Sequence, residues 1–220
     1  MKQQVLITGA TKGIGRACAE AFAAEGWDVV AVARTATDLT AMAAAWATDF
    51  PGRTLQTITA DLATEAGVRR VPATAYDVII LNAAAFRPGR LLDKADDVFR
   101  DLLNLNVLGN HRLARRLLPG LRTRGSGHLL VVGSTGTDNW KGYMTAYVAT
   151  KYALRGLFLG WQQDLADSGV LSTLVAPGAT LTASWDNEVP PPDILAPERV
   201  AEVVLEAITK KITGRVTVDR

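Results

Sequence analysis

The chain has 220 residues, 48% hydrophobic and 21% charged, and its 24 Lys and Arg against 22 Asp and Glu leave a formal charge of +2. This balance excludes a disordered chain and a polycationic nucleic-acid binder, and the length is too short for a dinucleotide domain joined to a separate substrate domain, which takes roughly 300 residues. The single cysteine, Cys18, excludes an internal disulfide, and with only His111 and His128 beside it no metal site is expected.

Apolar β-branched runs alternate with Ala- and Leu-rich stretches along the chain. In order, the pattern predicts a strand at 4–8, a helix at 13–25, a strand at 28–33, a helix at 37–48 and strands at 54–59 and 77–82. A long helical stretch at 91–122 follows, expected to break into two near Asn104–Asn106. Then come a strand at 128–133, a helix at 143–167, a strand at 170–176, a helix at 197–211 and a strand at 215–218. Most of the strand runs are apolar almost throughout, as parallel strands covered on both faces require. Strand and helix in repeated alternation predict an α/β fold, a doubly wound sheet of about seven parallel strands with helices on both faces. No linker interrupts it, so residues 1–220 are expected to form one domain. No apolar run approaches the length of about 20 residues that spans a membrane, and Met1 leads into the first strand without an apolar leader. A cytoplasmic location is expected.

The first strand runs into Thr8-Gly9-Ala10-Thr11-Lys12-Gly13-Ile14-Gly15 and then a helix. Gly9 permits a tight turn, Gly13 a close backbone approach to a pyrophosphate, and Gly15 close packing of helix on strand. The helix N-terminus adds free N–H groups and a positive dipole end. The spacing is G-x-x-x-G-x-G, and no Lys-Ser/Thr follows the last glycine, so it is not a Walker A loop. The second strand ends in Ala33-Arg34, where an NAD site places an acidic residue for the ribose 2′-hydroxyl. An Arg there pairs with a 2′-phosphate. With Lys12 nearby, it favours NADP(H) over NAD(H).

Tyr147 and Lys151 stand four residues apart in a helical pattern, on one face. A phenol titrates near pH 10; a neighbouring ammonium and a positive nicotinamide both favour its phenolate and ease proton transfer. Ser134 closes the fifth strand, at the carboxyl edge where sheets of this type bind ligands.

Taken together, these motifs resemble the short-chain dehydrogenase/reductase family in its compact single-domain, Rossmann-like form. The matching pieces span nearly the whole chain: Thr8–Gly15, Asp61-Leu62, Asn82-Ala83-Ala84, Asn106, Ser134, Tyr147-x-x-x-Lys151 and Pro177-Gly178. The resemblance implies hydride transfer between NADP(H) and a carbonyl or secondary alcohol substrate. Tyr147 would be the acid/base and Ser134 would orient the substrate oxygen. Lys151 would bind the nicotinamide ribose and favour the phenolate. Asn106 would distort its helix and hold a water that links Lys151 to solvent. The cofactor would lie on Gly9, Thr11, Lys12, Gly13, Ile14, Gly15 and Arg34, on Asp61 and Leu62 at the adenine, and on Asn82, Ala83 and Ala84. Pro177, Gly178, Thr180 and Thr182 would shape the nicotinamide side. Leu81 and Ala84 depart from the family's Asn-Asn-Ala-Gly, and the chain stops at Arg220 without the usual Gly-Gly extension. The resemblance implies a homodimer through the helices flanking the fifth strand, and the missing extension leaves tetramer contacts open.

Residues 183–196, with Pro190-Pro191-Pro192, occupy the place of the family's substrate lid. Trp185 in this segment and Trp140, between Ser134 and Tyr147, are candidate substrate contacts suited to an apolar or aromatic carbonyl compound. Two rival readings stand beside the enzyme. A non-catalytic NADP(H)-sensing protein would need neither Tyr147 nor Lys151, and a sugar-nucleotide epimerase would need a larger substrate domain.

Overall fold

The computed structural model describes residues 3–74, 76–89, 98–139, 142–185 and 189–219. Seven strands form one sheet: β1 (Gln4–Thr8), β2 (Asp28–Ala33), β3 (Leu55–Thr59), β4 (Val78–Leu81), β5 (Gly127–Val132), β6 (Val170–Pro177) and β7 (Gly214–Val218). Every pairing is parallel and the order is β3-β2-β1-β4-β5-β6-β7. The expected doubly wound sheet is therefore present. Its order reverses between β1 and β4, which opens a crevice at the carboxyl ends of the strands.

Helices α1 (Gly13–Ala24), α2 (Ala36–Asp49), α3 (Glu65–Arg70), α4 (Val98–Leu102), α5 (Asn110–Arg124), α6 (Thr145–Asp164) and α7 (Pro197–Thr209) connect the strands. Alternating side chains feed two apolar layers. On β1, Val5 and Ile7 enter one layer with Phe22 of α1, Met42 and Trp46 of α2 and Val204 of α7. Leu6 enters the other with Leu113 and Leu117 of α5 and Leu154, Phe158 and Trp161 of α6. Each such side chain contributes roughly 1.5–3 kcal/mol by leaving water. The apolar stripe on α6 thus serves the core, with Leu157 packed against it. Cys18 is fully buried and its thiol is pushed up to about 12, so it is chemically inert.

Two local features differ from the sequence expectation. Helix α3 was not anticipated: it has only six residues and contains Gly67. Thr64 Oγ1 caps it by accepting from Gly67 N at 3.0 Å. Any Cβ at Gly67 would lie 1.9 Å from Asp61 O, so the helix can dock on the preceding turn only with glycine there. The expected break near Asn104–Asn106 takes the form of a π-helical segment, Leu103–Gly109, joining α4 to α5. Its wider turn frees backbone carbonyls, and the Asn110 amide donates to Asn106 O at 3.0 Å and Leu105 O at 3.4 Å. The beginning of the expected 91–122 helix lies outside the described residues up to Val98.

Candidate active site

The two central strands are stitched together at the crevice. Thr8 Oγ1, on β1, accepts from Asn82 N and Ala83 N, both at 2.9 Å, just past β4. Asn82 Nδ2 returns a bond to Thr8 O at 2.9 Å. Gly9 (φ 65°) and Gly13 (φ 52°) adopt left-handed backbone. A Cβ on Gly15 would lie 2.2 Å from Gly9 O, which explains how α1 packs so close to β1. A Cβ on Gly13 would lie 2.7 Å from Thr182 Cγ2, so the phosphate-type loop and the segment after β6 touch there.

This cradle fits a dinucleotide phosphate: bare glycine backbone opens onto the N-terminus of a 12-residue helix, α1. Thr11 and Ile14 flank it half-buried, Ile14 also packing on the core. Arg34 is exposed just beyond β2. Lys12 is exposed too, but its Nζ is 3.0 Å from Asp38 Oδ2 on α2, so its charge is already shared. Asp61 Oδ1 accepts from Ala63 N at 3.0 Å, and Leu62 is buried in the core. Ala84 is exposed and Ala83 half-buried. Pro177 ends β6; Gly178 N donates to Val218 O at 3.2 Å and Thr180 Oγ1 to Gly178 O at 3.1 Å.

Ser134, Tyr147 and Lys151 come together where β5 meets α6. Ser134 Oγ accepts from Gly136 N at 3.0 Å, which leaves its O–H free to donate. The Ser134 hydroxyl, near the Tyr147 phenol, acts to lower the phenol's pKa. Burial is the larger effect and pushes the phenol up to about 12. Lys151 is buried; its Nζ donates to Val132 O at 3.0 Å and lies 5.7 Å from the centre of the Tyr147 ring. The sequence led us to expect an ammonium that lowers the phenol. In the structure the Lys151 Nζ meets the Tyr147 ring and the Val132 carbonyl. Burial brings Lys151 itself down to about 8.

Asn106 is fully buried within the π-helical segment. Its Oδ1 accepts from Ala85 N at 2.8 Å, and its Nδ2 donates to Ala85 O and to Thr150 Oγ1, each at 3.0 Å. The helix distortion expected around Asn106 is present. Its side chain serves the loop after β4 and α6, and it is Thr150, adjacent to Lys151, that it touches.

Of the two tryptophans, Trp185 approaches the site and Trp140 lies outside the described residues, as does part of the 183–196 segment. The aromatic neighbour of Trp185 is Phe86, with ring centres 6.2 Å apart. Phe86 also meets Tyr147 edge-on at 4.9 Å.

The family profile described as short chain dehydrogenase matches residues 3–192. The chain belongs to the short-chain dehydrogenase/reductase family. As such it is an oxidoreductase. It is 26% identical to the oxidoreductase YmfI of Bacillus subtilis, over 98% of this chain and 96% of that one. With dehydrogenase/reductase SDR family member 7B of Mus musculus it shares 30% identity over 79% of its length, spanning 56% of that protein. Among solved structures it is similar to a short-chain dehydrogenase from Sphingobium yanoikuyae in complex with NADPH. The TM-score there is 0.89, with 28% identity over 98% of this chain and 87% of that chain.

Three residues of this short-chain dehydrogenase/reductase site escaped sequence reasoning. Phe86 carried one available signal, a lone aromatic among small residues after the fourth strand. Thr150 and Asn110 carried none, because their roles depend on a π-turn that no spacing rule announces. Among the described residues no helix is long and apolar enough to cross a membrane, and no cluster of His, Cys, Asp or Glu could hold a metal ion.

Proposed function

We propose that this protein is an NADP(H)-dependent carbonyl reductase or alcohol dehydrogenase in which Tyr147 is the acid/base. What supports the reading is the meeting of Ser134, at the carboxyl edge of the sheet, with the Tyr147 phenol, and Lys151 Nζ 5.7 Å from the centre of that ring. Gly9, Thr11, Gly13, Ile14 and Gly15 would hold the pyrophosphate, and Arg34 the 2′-phosphate, with Lys12 contributing the charge it shares with Asp38. Asp61 and the Leu62 backbone would face the adenine. Asn82, Ala83, Ala84, Pro177, Gly178, Thr180, Thr182, Tyr147 and Lys151 would enclose the ribose and nicotinamide. When bound, NADPH supplies the hydride.

In reduction, the Ser134 and Tyr147 hydroxyls would both turn to the substrate carbonyl oxygen. Tyr147 gives its proton to that oxygen as the alcohol forms. Lys151, charged below a pH of about 8, stabilises the phenolate left behind. Asn106 holds the loop and helix that carry these groups. Trp185 borders the substrate side, and Trp140 is kept as a second candidate there. The 1–220 chain acts as one cofactor-binding unit, in the cytoplasm, as a homodimer through α5 and α6. Tyr152 and Leu159 on α6, 47% and 52% exposed, supply apolar surface for that contact.

The decisive experiment follows NADPH absorbance against a panel of ketones and aldehydes, with NADH in parallel. Oxidation of NADPH in preference to NADH by a member of the panel is the expected result. NADPH binding without oxidation of any of them would favour the cofactor-sensing alternative instead.

A further inference from the structure

Phe86 links the acid/base to the segment that flanks the substrate. Its ring meets Tyr147 at 87° and lies against Trp185 at 34°. Both ends of this contact are held. On one side, Asn106 clamps the backbone N–H and C=O of Ala85, the residue before Phe86. On the other, Trp185 Nε1 donates to Thr180 O and Trp185 N to Thr182 O, both at 3.0 Å. The base of that segment is closed in turn by Leu181 N to Leu195 O and Leu195 N to Ala179 O, each 2.8 Å. Phe86, Tyr147 and Trp185 are all only partly buried. The adjacent Arg87 is engaged by Asp101 at 3.3 Å, which keeps its charge compensated.

We infer that Phe86 is a substrate-positioning residue that, with Trp185, selects carbonyl compounds bearing a flat apolar substituent, such as aryl ketones and aldehydes, over small alkyl ketones. The inference deepens the proposed reductase reading and rests on it. Phe86, edge-on to the phenol ring at 4.9 Å, and Trp185, 6.2 Å further on, place two aromatic rings beside the phenol. A carbonyl whose oxygen meets Ser134 and Tyr147 must lay its substituent near those rings. An aryl group gains both buried area and a favourable ring–ring geometry there, whereas a two-carbon alkyl group gains little of either.

The test compares acetophenone with 2-butanone on the wild type, Phe86→Ala and Phe86→Leu. The Leu variant keeps apolar volume and guards against a fold defect. In Phe86→Ala the preference for acetophenone, as a ratio of kcat/KM values, should fall about tenfold, mostly through KM. Phe86→Leu should fall in between, and Trp185→Ala should raise the acetophenone KM more than it lowers kcat. Equal losses on both ketones, or no acetophenone preference in the wild type, would overturn the inference. If the wild type turns over neither ketone, the carbonyl panel decides the reductase reading and calorimetry decides the inference separately. Titration of Tyr147→Phe protein, which needs no turnover, should then show tighter binding of acetophenone than of 2-butanone, lost on adding Phe86→Ala. Equal binding of the two would sink it.

Discussion

Asn106 Nδ2 lies 3.0 Å from Thr150 Oγ1, and Thr150 Oγ1 donates in turn to Tyr147 O at 2.6 Å. The π-helical segment is thereby tied to the turn of α6 that carries both Tyr147 and Lys151. The same Asn106 side chain satisfies both backbone atoms of Ala85, so one buried amide fixes two walls of the site.

Removing that amide takes the partner from the half-buried Ala85 N–H and C=O and one of the two hydrogen bonds from the buried Thr150 Oγ1. Asn106→Ala is expected to destabilise the fold by about 2–4 kcal/mol. Thermal or urea denaturation measures this directly. A loss under about 1 kcal/mol would mean that the network does not hold the site in solution. Asn106→Asp should not rescue it, because a carboxylate would face Ala85 O where an N–H donor is needed.

Tyr147→Phe deletes the phenol oxygen and keeps the ring that packs against Phe86 at 4.9 Å. Turnover should drop by about 10³-fold or more. The affinity for NADPH, followed by fluorescence titration, should stay within about threefold. Substantial residual turnover would remove Tyr147 from the acid/base role.

Much of this architecture could be read from the residues alone. The β-branched runs at 4–8 and 28–33 gave strands with the observed limits, since continuous apolar stretches of that length have few other solutions. The spacing of Tyr147 and Lys151 placed both on one helix face, where they are. Where the Lys151 ammonium points was not readable, because Val132 O belongs to another strand and its availability depends on the packed sheet. Phe86 was overlooked for a related reason. Its significance lies in contacts made 61 and 99 residues away along the chain, at Tyr147 and Trp185.

Lys151 is buried at a cost. Its pKa falls from its ordinary 10.5 to about 8, so the unfolded chain binds this proton more tightly than the folded one. Between those two pH values the unfolded state carries more protons, and the contribution of Lys151 to stability rises with pH. Below pH 8 the folded state bears the full penalty of the charge. Lys151→Met removes this dependence and turnover together. The stability difference between the two proteins should move in favour of the wild type by up to roughly 3 kcal/mol from pH 8 to 10.5. Denaturation curves at several pH values for both proteins test this, and parallel profiles would contradict a buried, charged Lys151.

Arg34 is exposed at the end of β2, while Lys12 is already held by Asp38 at 3.0 Å. Discrimination for the 2′-phosphate should therefore rest mainly on Arg34. Arg34→Ala should weaken NADPH about 10- to 100-fold and NADH little. Asp38→Asn frees Lys12 and should partly restore NADPH affinity in the double variant. Equal weakening of both cofactors would place the 2′-phosphate elsewhere.

All the loops that build this site leave the sheet at the carboxyl ends of its strands. The opposite rim is sewn by different bonds: Asp77 Oδ2 accepts from Gln4 N at 2.8 Å, and Asp28 Oδ1 from Thr54 N at 2.9 Å. Pro51, Gly52 and Arg53 form an exposed turn on that rim, leading into β3. A cysteine introduced at this turn would anchor the protein to a solid support with its cofactor crevice facing the solution. The same handle would carry a dye or a fused partner on the far side of the sheet from the chemistry.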